Sequence, residues 1–138
     1  MIAMAAFAGC GENETPETQV RSVIQSMELA AEARDVSSVL EHVSESYRDD
    51  YGNGREEIGR IIRGYFIANQ TVHLLTRIEE LTFPAEDEAR LKVVAAMVGR
   101  DAAASNAWNL AAEINTFEIA LVREDGEWKV TWARRQSR

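Results

Sequence analysis

The sequence predicts an α+β fold in which three N-terminal helices pack in a curved, mostly antiparallel four-stranded sheet, a cone with a pocket. The first half of the chain carries apolar residues at three- and four-residue steps, which is the helical period. The second half carries runs of β-branched and apolar residues separated by turn signals. Helices followed by strands, rather than alternating with them, are typical of the α+β class. A length of 138 residues fits one domain.

Three helices are predicted in the first half. The first begins near Pro16, a residue type favoured at helix entry, and ends near Arg34. Asp35 is predicted to be the N-cap of a short second helix. The apolar face of that second helix comprises Val36, Val39, Leu40 and Val43. A turn at Gly52-Asn53-Gly54 then precedes a third helix, predicted over residues 55–68.

Four strands are predicted in the second half, over residues 72–83, 90–100, 110–123 and 128–134. The Asp125-Gly126 pair is the strongest short hairpin signal and predicts a tight turn before the last strand. In that last strand, alternation places Trp128, Val130 and Trp132 on one face. A pocket between the sheet and the helices is the default candidate site.

Charge argues against one class of partner. The chain has 15 basic and 23 acidic residues and a formal net charge of -8. Nucleic acids are bound through a basic surface, so the sequence predicts no nucleic-acid partner. Arg134, Arg135 and Arg138 form a basic cluster near the end of the sequence, which we interpret as a solvated terminus.

The N-terminal residues resemble a targeting signal. Residues 1–10 are apolar and end at the only cysteine, Cys10. The stretch Phe7-Ala8-Gly9-Cys10 resembles a bacterial lipoprotein signal, which implies that Cys10 becomes the lipidated first residue of a membrane-anchored envelope protein. A glycine directly after the cysteine, Gly11 rather than an Asp, resembles the pattern of lipoproteins sorted to the outer membrane. This resemblance implies an anchor in the outer membrane, with the domain facing the periplasm. No Lys or Arg precedes Arg21, so we expect translation to start upstream. The alternative is an apolar N-terminus with an ordinary cysteine.

This interpretation divides the chain into a leader over residues 1–10, a tether over residues 11–16 and a single domain over residues 17–135. Three stretches of the domain resemble the nuclear transport factor 2-like superfamily, also described as SnoaL-like or cystatin-like: residues 30–40, residues 54–58 (Gly-Arg-Glu-Glu-Ile) and residues 121–130. The resemblance implies the cone fold. It does not fix an activity, because the superfamily includes ketosteroid isomerases, dehydratases and accessory subunits.

The resemblance offers a candidate general base but not its partners. In isomerase-like members a carboxylate after the second helix abstracts a proton, and Asp50 is near that position. The helix-one position of an oxyanion donor falls near Met27, and the second donor would come from residues 94–98, which are Val, Ala and Met. His73 is a further candidate base, if it faces the cavity. Neither His42 nor His73 has metal-ligand spacing, so no metal and no cofactor are predicted.

Aromatic residues are the candidate lining of an apolar ligand pocket, with ordinary core packing as the alternative. The candidates are Tyr47, Tyr51, Tyr65, Phe66, Phe117, Trp128 and Trp132. The predicted function is that of a lipid-anchored envelope protein that binds a small apolar ligand or a protein partner without catalysis. One alternative is an isomerase- or dehydratase-type enzyme that uses Asp50 or His73. The other is a structural or accessory subunit, a homodimer formed through the outer sheet face, drawn from Leu110, Ala112, Ile114 and Thr116.

Overall fold

The computed structural model describes residues 14–101 and 110–136, except the side chains of residues 99–101 and 110–113. It contains three helices followed by one antiparallel sheet of order β1-β2-β3-β4, which confirms the predicted α+β architecture. The elements are α1 (Pro16–Glu32), α2 (Val36–Leu40), α3 (Arg55–Ala68), β1 (Asn69–Ala85), β2 (Glu88–Asp101), β3 (Leu110–Glu124) and β4 (Glu127–Arg135). Residues 1–13, including Cys10 and most of the tether, lie outside the described residues.

The predicted start signals define the helix boundaries. Thr15 is the N-cap of α1, and its hydroxyl accepts a hydrogen bond from the Thr18 backbone N–H at 3.2 Å. Asp35 is the N-cap of α2, as predicted, and accepts the Ser38 backbone N–H at 3.2 Å. The second helix is shorter than its apolar pattern indicated. Val43 leaves the helix and forms a parallel bridge with Val130, because the chain turns there to follow β4.

The last hairpin has the predicted tight turn. Asp125 and Gly126 have φ angles of 52° and 82°, and the residues that flank them, Glu124 and Glu127, pair with each other in the sheet. Two consecutive residues in the left-handed region are the type I′ geometry that the Asp-Gly pair favours.

The prediction that Trp132 lies on the same face of β4 as Trp128 and Val130 was wrong. A register shift beside Ala120 and Leu121 places Val130 opposite Leu121 but Trp132 opposite Ala120. The extra residue of this bulge changes which side chains face inward, because side chains alternate faces along a strand. Ala133 therefore contacts the core and Trp132 lies on the outer face of the sheet.

Both edges of the sheet are covered in part. Carboxylates of α1 reach the free edge of β1, where Glu28 accepts the Thr76 N–H at 3.2 Å and Glu32 accepts the Leu74 N–H at 3.3 Å. On β4, the segment after α2 pairs through its backbone, with the Ser44 N–H donating to the Val130 carbonyl at 2.9 Å. The covered parts of the edges are closed to pairing with a strand of another chain.

The buried core lies at one end of the concave face. Val20 and Ile24 of α1 pack there against the turn-proximal halves of the strands, including Leu91, Leu121 and Trp128. Full burial of each such side chain is worth about 1.5–3 kcal/mol. The other end of the concave face is not filled by the described helices, and the candidate site lies there. Within residues 14–101 and 110–136, no helix meets the length and apolarity that crossing a bilayer requires.

Candidate functional site

An apolar cavity of about 650 Å³ lies between the concave face of the sheet and the helices. From the helices it is lined by side chains such as Met27, Ile58 and Ile62, and from the sheet by side chains such as Val93, Ala95 and Phe117. The sheet residues share odd numbers along β2 and β3, since alternate side chains point to the same face. A cavity of this size and chemistry suits a small, largely apolar molecule.

A polar group at the rim of the cavity is formed by Tyr47 and Asp49. The Tyr47 hydroxyl donates to Asp49 Oδ2 at 3.3 Å, and the other oxygen of Asp49 accepts the backbone N–H groups of Tyr51 and Asn53, each at 2.9 Å. Desolvation acts to raise the pKa of Asp49, but hydrogen bonds from Asn53 and Tyr51 outweigh it and the pKa lies below its usual value. Burial, and then the charge of Asp49, raise the pKa of Tyr47, so its hydroxyl stays protonated.

Three further polar side chains line the cavity on other elements. Glu28 is occupied by the edge of β1, because it accepts hydrogen bonds from both the backbone N–H and the hydroxyl of Thr76. Asn115 extends inward from β3, and Arg135 lies at the end of β4. Neither the Asn115 nor the Arg135 side chain forms a hydrogen bond or ion pair within the described part of the chain.

The two candidate bases lie outside the described lining of this cavity. Asp50 is exposed, and its Oδ1 accepts a hydrogen bond from the Trp132 indole N–H at 3.0 Å. His73 is exposed on β1, one residue from the inward-facing Leu74 and therefore on the opposite face. The structure does not bring Asp50 and His73 together with the cavity, and their catalytic role stays a prediction. The positions of the missing oxyanion donors, near Met27 and Ala95, do line it.

The seven aromatic pocket candidates divide into three groups: the cavity-lining Tyr47, Tyr51 and Phe117, the pair on α3, and the two tryptophans of β4. Tyr47 and Tyr51 line the cavity: Tyr47 is buried, whereas Tyr51 is 81% exposed at the rim. Tyr65 and Phe66 of α3 contact each other edge to face at 6.5 Å between ring centroids, outside the described lining. Phe66 is buried, and its carbonyl accepts the Arg34 guanidinium at 2.6 Å.

Trp128 and Trp132, the two candidates on β4, have different environments. Trp128 is a core residue, 3% exposed, with its indole N–H donating to Gln19 Oε1 at 3.0 Å. Arg123 stacks over its ring at 5.0 Å from the centroid. Trp132 lies on the outer face because of the bulge in β4, with Arg134 over its ring at 5.5 Å. Neither tryptophan lines the apolar cavity.

Other residues of the site were not predicted from the sequence. Asp49, rather than its neighbour Asp50, lines the cavity, and the turn signal at Gly52 was compatible with either one. The branched residues of α3 and the alternate residues of β2 line it as well, and the periodicity of the sequence does mark them as inward-facing. Arg135 appeared in the sequence as part of a solvated basic cluster, and only the bulge in β4 gives it an inward position.

The second histidine lies elsewhere. His42 borders a separate cleft together with Trp128 and Lys129. Burial, and then the charge of Lys129, lower the pKa of His42 below its usual value. Among the described residues, no three side chains of His, Cys, Asp or Glu are grouped so that they could hold a metal ion.

The fold is shared with solved structures of low sequence similarity. A candidate scytalone dehydratase from Novosphingobium aromaticivorans superposes with a TM-score of 0.76 at 14% identity, covering 88% of this chain and 84% of that one. A nuclear transport factor 2-like protein of unknown function from Shewanella oneidensis gives 0.68 at 14% identity, covering 89% and 100%. This chain has the nuclear transport factor 2-like fold.

A third structure supports the same conclusion. A domain of unknown function with a cystatin-like fold from Nostoc punctiforme superposes on the nuclear transport factor 2-like fold of this chain with a TM-score of 0.71 at 15% identity, covering 91% of this chain and 80% of that one. No protein-family model and no curated protein sequence matches the chain. The superpositions establish the fold. Because the sequence identities are this low, the activity must be argued from the site itself.

Proposed function

We propose that this protein binds a small, largely apolar molecule in its cone-shaped cavity and performs no acid–base chemistry on it. The observation that carries the proposal is the composition of the cavity, in which apolar side chains from three helices and four strands surround about 650 Å³. The two carboxylates in the described lining, Glu28 and Asp49, already accept hydrogen bonds from protein donors. The hydrogen bonds to Asp49 stabilise its charged form and hold its pKa below the usual value, so Asp49 is a poor proton acceptor.

The experiment is a titration with N-phenyl-1-naphthylamine, an uncharged dye whose fluorescence rises in an apolar site. We expect saturable binding to the wild-type protein. Ala95→Phe should weaken that binding about tenfold or more, because the new ring occupies the cavity. Val94→Phe is the matched control, since residue 94 is on the same strand but points to the opposite face. Circular dichroism and thermal unfolding would verify that both variants fold, and equal dye binding by all three proteins would contradict the proposal.

We also propose that Cys10 is lipidated and anchors the protein in the cell envelope. The support is the apolar stretch that ends in Ala8-Gly9-Cys10 and the acidic, polar sequence after it. Intact mass of the protein from native membranes, compared with a Cys10→Ser variant, tests this. A mature chain that begins at a modified Cys10 is the expected result. An unmodified chain in the soluble fraction would overturn the proposal.

A second candidate function is that of a homodimeric accessory subunit, which a feature of the outer sheet face favours. Leu75 and Ile114 are 68% and 65% exposed there, and Ala96 of β2 pairs with both Leu75 and Ile114 across the ladder. An apolar strip across three strands is the kind of surface that a second copy of the chain covers.

A further inference from the structure

The cavity has one pole where hydrogen-bond donors lack acceptors. Arg135 is opposite Phe117 on the inward face, and Asn115 is the next inward residue along β3. Diagonal neighbours of this kind lie about 7–8 Å apart between Cα atoms, which long side chains can span. The guanidinium of Arg135 and the amide of Asn115 can therefore converge on one group at this end of the cavity.

The remaining charged groups of the described lining are already occupied. Glu28 accepts from Thr76, and Asp49 accepts from Asn53 and Tyr51. Arg134 is paired with Glu118 across the ladder. Arg135 is thus the one guanidinium of this lining without an anionic partner within residues 14–101 and 110–136. Arg135 is exposed at the mouth of the cavity, and its inward neighbours on β3, Phe117 and Asn115, are not acidic.

We infer that the ligand of this cavity is a monoanionic amphiphile, with an apolar body along Phe117 and Ala95 and a carboxylate bound by Arg135 and Asn115. This inference rests on the proposed binding function and specifies its ligand class. The planar fork of a guanidinium matches the two oxygens of a carboxylate, and charge-assisted hydrogen bonds are about twice as strong as neutral ones. An anionic group at the rim also stays close to solvent while the apolar part is buried.

The experiment compares decanoate with 1-decanol, two probes with the same chain length and different head groups. Each is used to displace N-phenyl-1-naphthylamine from the wild-type protein, from Arg135→Gln and from Arg90→Gln, at pH 7. We expect Arg135→Gln to weaken decanoate binding about tenfold, which corresponds to one charge-assisted contact, and to leave 1-decanol binding unchanged. Arg90→Gln is the matched control, because it removes the same charge from the outer face of the sheet, away from the lining of the cavity.

The outcomes separate the two proposals. If the dye and 1-decanol bind but Arg135→Gln changes the two probes equally, the anionic head group is wrong and the apolar site stands. The same conclusion follows if decanoate does not bind to a protein that binds 1-decanol. If the wild-type protein binds neither the dye nor either probe, the cavity is not a binding site and both proposals fall.

Discussion

A single carboxylate, Asp49, determines the shape of the segment between α2 and α3. It accepts hydrogen bonds from Tyr47, Tyr51 and Asn53, whereas its neighbour Asp50 accepts one bond from Trp132. We expect Asp49→Ala to lower the free energy of unfolding by about 1 kcal/mol or more, measured by urea denaturation. Asp50→Ala should lower it by less. Equal losses in the two variants would show that the turn does not depend on the Asp49 bonds.

Three carboxylates also make stability depend on pH. Hydrogen bonds lower the pKa of Asp35 and of Glu57, and bonds that outweigh desolvation lower that of Asp49. A folded-state pKa below the unfolded value means that the unfolded chain binds protons first. The stabilisation is therefore complete above the ordinary values of 3.8 for Asp and 4.5 for Glu, and it is lost as the pH falls through the lower folded values.

Urea denaturation at pH 7 and near pH 3 measures this dependence. We expect the free energy of unfolding of the wild-type protein to fall between the two conditions. In Asp49→Asn the fall should be smaller, because the amide cannot titrate. A variant with the full wild-type pH dependence would exclude Asp49 as a contributor.

At the scale of the element, α3 contains two glycines with different surroundings. A Cβ at Gly64 would have no atom within 4 Å, whereas a Cβ at Gly59 would lie 2.9 Å from Leu40 Cδ1 of α2. Gly64→Ala should therefore raise the free energy of unfolding by about 0.5–1 kcal/mol, since alanine favours the helix interior. Gly59→Ala should give less or a loss, because Leu40 must move. Thermal and urea unfolding of both variants test this, and equal gains would mean that α2 does not pack closely on α3.

The elements differ in how far the sequence could predict them. The bounds of α3 were predicted to the residue, because a turn precedes Arg55 and the apolar period stops at Ala68. The inward and outward faces of β4 were not predicted correctly. One extra residue between Val130 and Trp132 reverses the alternation of side chains, and nothing in the local sequence indicates this bulge. The same bulge determines which of the terminal arginines points into the cavity. Which side chains of a bulged strand face a site depends on how that strand pairs with its neighbour, and the periodicity of its own sequence does not contain this information.

At the scale of the whole molecule, the two faces of the sheet have different chemistry. The concave face is apolar and forms the core and cavity. On the outer face, Glu80, Lys92, Glu118 and Arg134 follow one another across the four strands in pairing register. A row of alternating charges is complementary to its own reverse: a copy related by a two-fold axis would place Lys92 against Glu118 and Glu80 against Arg134. Isologous dimers require this kind of self-complementary surface.

The charge row and the apolar strip make the dimer testable by sedimentation equilibrium. We expect a concentration-dependent dimer for the Cys10→Ser protein and a monomer for Leu75→Lys, which places a charge in the strip. Lys92→Glu should weaken association through like-charge contacts, and the exchange Lys92→Glu with Glu118→Lys should restore it, because the row stays complementary to its reverse. Arg21→Glu on α1 is the control for net charge and should leave association unchanged. A wild-type protein that stays monomeric, or an exchange variant no better than Lys92→Glu, would contradict a dimer formed through this face.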